Sequence, residues 1–227
     1  MFQFKMFKIS QADRHKFCEH IIDSSTPNGG FSFLVILSTL IVALGLIKDY
    51  VILVIGGMLV TPLLSPILAI SLGIIIRDLK VITRSVKVFL TAFVLSFLVA
   101  YLTGLLFNFN IEEIQLIKIM EPSLYTLLVA LVAGMAASYA WAKPNLINST
   151  LPGVAITVTL IPPLTAIGLA LANENLLIFR TVLSALLLNV FGIIFASIVI
   201  FSLMHFHKAK RKLVAEVKEE EKELKKE

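Results

Sequence analysis

Between residues 61 and 66 two hydroxyls and two prolines interleave: Thr61, Pro62, Ser65 and Pro66, inside an uncharged run from Val51 to Ile76. Thr61 and Ser65 stand four apart, so on a helix they share one face. Each proline lacks an N–H, and its ring presses on the carbonyl four residues back. Pro62 and Pro66 would therefore free the carbonyls of Met58 and Pro62. A second set lies downstream, where Pro162 and Pro163 would free the carbonyls of Val158 and Thr159, with the hydroxyls of Thr157, Thr159 and Thr165 close by. Asn189 is the one amide deep inside an apolar run. Carbonyls accept, hydroxyls donate and accept, and an amide does both. Such groups can hold sodium, potassium, or a small neutral or zwitterionic solute. The candidate binding set is Met58, Thr61, Pro62, Ser65, Val158, Thr159, Pro162, Pro163, Thr165 and Asn189. Two roles fit Asn189, a ligand contact and a hydrogen bond between helices.

Other chemistry is poorly supplied. No His, Cys, Asp or Glu lies within the long apolar runs; the acids sit between them or toward the ends of the chain. A Ser or Thr nucleophile without a buried base is inert, so an enzyme is not expected. Proton-coupled carriers usually hold a carboxylate or imidazole at membrane depth, and none is present. His15, Cys18 and His20 lack a metal-ligand spacing and a fourth partner, so neither a metal nor another cofactor is expected.

The elements that must position the binding set are membrane helices. The chain has 227 residues, 58% hydrophobic and only 15% charged, with a mean hydropathy of +0.93. Several apolar runs reach the ~20 residues a helix needs to cross a bilayer. We expect an all-α polytopic membrane protein with about six spans, at 31–47, 51–76, 88–107, 123–142, 151–172 and 176–204. An N-terminal arm (1–30) precedes this membrane domain (31–206), and a charged tail (207–227) follows it. No cleavable signal is expected, because the first 30 residues hold no continuous apolar core. The arm reads as cytoplasmic; a helix lying on the membrane surface also fits its Phe, Lys and Arg content. The tail reads as a solvated helix, with a coiled coil as the alternative.

Charge sets the orientation. If six spans alternate from an inside N-terminus, 17 of the 20 Lys and Arg fall inside, leaving only Lys48, Lys118 and Arg180 outside. Both termini are therefore expected in the cytoplasm, in a plasma-membrane protein. The net charge of +5 clusters at span ends, which points away from nucleic acid and toward the lipid bilayer as partner. Abundant small residues leave a homo-oligomer open.

The two proline-bearing spans also echo one another. Setting Pro62 on Pro162 brings Ser65 onto Thr165 and Ile67 onto Ile167. Paired, interrupted spans mark repeats in transporters, and three spans per half inverts the second half relative to the first. The expectation is a 3+3 inverted repeat with broken second and fifth spans, whose breaks meet near the midplane. The function so implied is a transporter or channel for an ion or small solute. The alternative is a structural or regulatory assembly protein, in which prolines and glycines serve helix packing alone.

The motif GGMLVTPLLSPILAISLGI, followed by RDLK, and the second motif LPGVAITVTLIPPLTAIGLAL resemble the domain-of-unknown-function 389 family. LSTLIVALGL, ALVAGMAASYA and Leu188-Asn189 carry the resemblance further, over about 32–203. It implies a polytopic membrane protein of bacterial or archaeal type. Many relatives look to carry a soluble domain beside the membrane part, where this chain shows a 30-residue arm. The family name implies no activity.

Overall fold

A computed structural model describes Phe17, residues 29–143 and residues 151–206, without the side chains of 151–158. The helices are α1 (Gly29–Ile47), α2 (Val51–Val60), α3 (Leu64–Ile76), α4 (Leu79–Leu106), a short α5 (Gln115–Lys118), α6 (Leu124–Trp141), α7 (Leu151–Ala172) and α8 (Leu176–Leu203). Among the described residues no strand occurs. Among the described residues four helices, α1, α4, α6 and α8, are long and apolar enough to cross a membrane, and five spans result if α2 and α3 count as one bent span. Thr159–Ala172, the described part of α7, is a further apolar helix.

Two helices form the centre. Every residue from Leu64 to Gly73 in α3 and from Thr159 to Ala170 in α7 is buried. A helix that is apolar on all sides has nowhere else to go. α1, α4, α6 and α8 pack around this pair, each with a lipid-type exposed face, such as Leu98 and Leu102 on α4 or Leu187 and Phe191 on α8. Small residues allow the close crossings. A Cβ on Gly168 of α7 would stand 2.6 Å from Ala100 of α4 and 2.8 Å from the Phe97 carbonyl. Polar ties also link helices: Thr39 Oγ1 donates to Ser96 Oγ (2.9 Å) between α1 and α4, and Ser71 Oγ to the Ile194 carbonyl (3.4 Å) between α3 and α8.

One end of the bundle gathers three connections. The Asp49 carboxylate accepts from the Gln115 and Leu116 amides. Asn173 Nδ2 donates to the Phe109 carbonyl, and Asn175 Nδ2 to Glu112. The opposite end holds the Arg77 turn and a cluster of Phe17, Phe201 and Phe206, with ring centroids 5.1–5.4 Å apart.

The second span is broken as expected. α2 stops at Val60, α3 resumes at Leu64, and the two axes differ by 55°. Thr61 is extended (φ −78°, ψ 127°), the conformation that a following proline imposes. Pro66 is the third residue of α3, where its missing N–H would have been unpaired in any case.

Two sequence expectations are corrected. The fifth span is not interrupted: α7 runs continuously through Pro162 and Pro163. The third span, expected from 88, begins nine residues earlier, because Asp78 accepts from the Lys80 and Val81 amides and starts α4 at Leu79. Two of the helices begin alike. α4 and α8 are both 28 residues long and start 97 positions apart, at 79 and 176. Each is entered by a left-handed charged residue, Arg77 or Glu174, and capped by the next side chain, Asp78 or Asn175. The tail 207–227, the His15/Cys18/His20 group and loop 144–150 lie outside the described residues.

Candidate functional site

A cleft of about 460 Å³ opens between the α2 half of the bent span and the proline turn of α7. Its walls are Val51, Val54, Ile55 and Met58 of α2, and Leu116, Ile119 and Met120 of the connection. Tyr125, Thr126 and Val129 of α6, Thr159, Pro162 and Pro163 of α7, and Ala185 and Asn189 of α8 complete them. This volume lies in the range of small-molecule sites. Among the described lining residues there is no Asp, Glu, His, Lys or Arg. Met58, Thr159 and Asn189 lie seven to thirteen residues inside their helices from the connection end. At 1.5 Å per residue the deepest is roughly 20 Å in. A hydrocarbon core is about 30 Å thick, so the floor is near mid-depth.

The floor is organised by one hydrogen bond. Neither Pro163 nor Pro162 has an N–H, so the Thr159 carbonyl loses both its i+4 and its i+3 donor. Asn189 Nδ2 donates to that carbonyl at 2.7 Å. The bond fixes the amide: its NH2 must face the Thr159 oxygen, which turns Oδ1 away. Asn189 is 3% exposed, and its Oδ1 has no partner. This compensation also explains why α7 is not broken. The freed carbonyl is taken from outside the helix, while buried Leu160, Ile161 and Leu164 hold the flanking turns in place.

The α2–α3 break closes on itself differently. The Thr61 amide bonds the Met58 carbonyl (3.4 Å), and Thr61 Oγ1 donates to the Gly57 carbonyl (3.2 Å) that the amide has abandoned. Met58 thus contributes its side chain to the cleft, with its carbonyl already engaged.

Of the expected set, Met58, Thr159, Pro162, Pro163 and Asn189 meet in the cleft. Thr61, Pro62, Ser65 and Thr165 do not line it; Thr61, Ser65 and Thr165 are buried, and the Thr165 hydroxyl has no partner. The Val158 side chain is outside the described part. Sequence reasoning missed the α6 wall and the Leu116–Met120 segment. Their only signal was Pro122-Ser123, which sets where α6 begins and hence where Tyr125 and Val129 fall. The Thr126 hydroxyl is engaged, bonding the Glu121 carbonyl and Ser123. Among the described residues no three His, Cys, Asp or Glu side chains converge as metal ligands would.

Comparison with known proteins agrees with the motifs. An uncharacterized protein of Methanocaldococcus jannaschii is 30% identical over 169 residues, 74% of this chain. The chain spans about half of that relative, 52% of its length. No solved structure matches it. The model of the domain of unknown function DUF389 matches residues 58–195, which include the bent span, the proline turn of α7 and Asn189, and the chain belongs to that family.

Proposed function

We propose that this protein is a membrane transporter or channel for a small solute, with the cleft at Asn189 as the half of the path open in this state. The observation that carries the reading is a cavity near mid-depth, reaching from one end of the bundle to the proline turn of α7. A purely structural bundle has no use for such a void, since empty space forfeits contacts on every wall. Toward the other end, among the described residues, the buried residues of α3 close the path.

An inverted repeat supports alternating access. In the 97-residue register every buried residue of α4 has a buried counterpart in α8: Ser85, Val88, Ala92, Ser96, Ala100, Thr103 and Gly104 answer to Val182, Ala185, Asn189, Ile193, Ser197, Ile200 and Phe201. α3 packs on α8 and α7 on α4, the exchange a two-fold axis in the membrane plane would make. α7 also packs on α1, whereas the corresponding place between α2 and α6 holds the cleft. Rocking one half against the other would close the cleft there and open its counterpart between α1 and α7. Both termini then lie in the cytoplasm, consistent with the charge count and with Phe17 beside Phe206.

A second reading, a non-transporting assembly protein, is favoured by one observation: Asn189 already serves as an interhelical partner for Thr159. Purified protein in liposomes, tested against alkali cations, small amines, alcohols and amino acids, decides between them. Flux of one class above protein-free vesicles, lost in Val129→Trp, is expected. No flux across the panel would leave the assembly reading.

A further inference from the structure

At the Arg77 end, away from the cleft, α4 carries a groove of about 480 Å³, lined among the described residues by Leu79, Lys80, Thr83, Arg84 and Lys87. All five are exposed. Positions 80, 84 and 87 are spaced four and three apart, so the three cations share one helix face within roughly 10 Å. The same face continues as Thr91, Val94, Leu98 and Leu102, all exposed. The Thr83 and Thr91 hydroxyls are spent inside the helix, on the Leu79 (2.7 Å) and Lys87 (2.9 Å) carbonyls. One straight stripe is therefore cationic over its first turns and apolar beyond them.

Helix length decides where that change falls. The 28 residues of α4 rise about 42 Å, whereas a hydrocarbon core is about 30 Å thick. At the far end Leu105 and Leu106 are exposed and apolar, so the excess of about 12 Å falls on the first turns. Lys80 and Arg84 thus stand at headgroup depth and Lys87 at its boundary, directly over a lipid-facing surface. Like charges three and four apart repel on a helix, and an anion seated among them relieves this. Lys80 and Arg84 also make contacts of their own, but an ammonium has three N–H donors and a guanidinium five. Asp78, the nearest acid in sequence, caps the helix through the Lys80 and Val81 amides.

We propose that this groove binds the phosphate headgroup of an anionic membrane lipid, with an acyl chain lying along Val94, Leu98 and Leu102. In the topology proposed above this end is cytoplasmic, and the cytoplasmic leaflet is the anionic one. A soluble phosphate compound would use the cations and leave the apolar part of the stripe empty.

The test is native mass spectrometry of the full chain in detergent, titrated with dioleoylphosphatidylglycerol or dioleoylphosphatidylcholine, and with glycerol 3-phosphate as a headgroup without chains. Phosphatidylglycerol is expected to bind about ten-fold more tightly than phosphatidylcholine, and excess glycerol 3-phosphate should not displace it. The triple variant Lys80→Gln, Arg84→Gln, Lys87→Gln should lower phosphatidylglycerol to the phosphatidylcholine level, whereas Lys118→Gln, at the opposite end, should keep the preference. Equal binding of the two lipids by the wild type, a comparison that needs no variant, overturns the proposal. A preference that survives in the triple variant overturns the site. Displacement by glycerol 3-phosphate overturns the lipid as occupant.

Discussion

Replacing Asn189 by Leu tests the bond that organises the site, provided it is done in two backgrounds. In the native chain the substitution strips the Thr159 carbonyl of the Asn189 donor, at 2.7 Å and in a buried setting. An unsatisfied buried carbonyl costs about 1–3 kcal/mol, and hydrogen bonds between membrane helices average about 0.6 with a maximum near 1.7. The single variant also removes the orphan Oδ1, which offsets part of the loss, so its net effect alone is ambiguous. Pro163→Ala restores an N–H four residues after Thr159, inside helix α7. In that background the carbonyl keeps a partner, and Asn189→Leu should no longer leave it bare. A double-mutant cycle should therefore give a coupling of about 1 kcal/mol between positions 163 and 189. The assay is reversible unfolding in mixed micelles, followed by circular dichroism. Additive effects, with coupling below about 0.3 kcal/mol, would refute the claim that the amide compensates the proline.

Further expectations concern packing and caps. Gly57→Ala should destabilise by about 1–3 kcal/mol, because its Cβ would meet Val42 at 2.5 Å and the Ser38 carbonyl at 2.9 Å; Gly56→Ala, with nothing within 4 Å, should fall within about 0.5 kcal/mol in the same melts. Asp49→Ala removes the acceptor for two amides of α5 and places Ala in a left-handed turn at φ 55°, so melting should report a loss of about 1–2 kcal/mol, and Asp49→Asn, which tolerates that turn, a smaller one. Thr61→Val removes the hydroxyl that covers the Gly57 carbonyl, and hydrogen exchange should show faster exchange of the Leu59–Leu64 amides than in the wild type.

Much of the fold is legible because lipid leaves few alternatives. Long apolar runs had to be helices, and Pro62 after Thr61 had to bend the second one, since both donors and backbone space are lost locally. Pro162 and Pro163 carry the same local signal with the opposite result. What differs is a tertiary partner, Asn189, twenty-six residues past Pro163, which no local pattern links to Thr159. The proposed register between the halves differs from the one read in the sequence for a related reason. An alphabet of Leu, Ile, Val and Pro matches itself at several offsets, whereas the caps Asp78 and Asn175, short polar side chains at helix starts, mark one. Glycine is the usual residue at left-handed helix ends, yet Asp49, Arg77, Glu174 and His205 hold those positions here, so the turns were visible only through their charge. Following freed carbonyls reached Met58, Thr159, Pro162 and Pro163 of the cleft wall. The α6 wall was not reached, because Tyr125 and Val129 are ordinary membrane-helix residues until the bend of α2 leaves space beside them.

The most direct measurement of the central claim is chemical block of flux from within the cleft. Met58→Cys, in a Cys18→Ser background, is reconstituted in liposomes with a solute that the wild type passes. A bulky methanethiosulfonate reagent is then added, and both mass shift and flux are recorded. The account predicts modification of position 58 and a fall of flux to the protein-free level, while Leu68→Cys, buried within α3 and away from the cleft, stays unmodified and active. Full modification at position 58 with unchanged flux would contradict it.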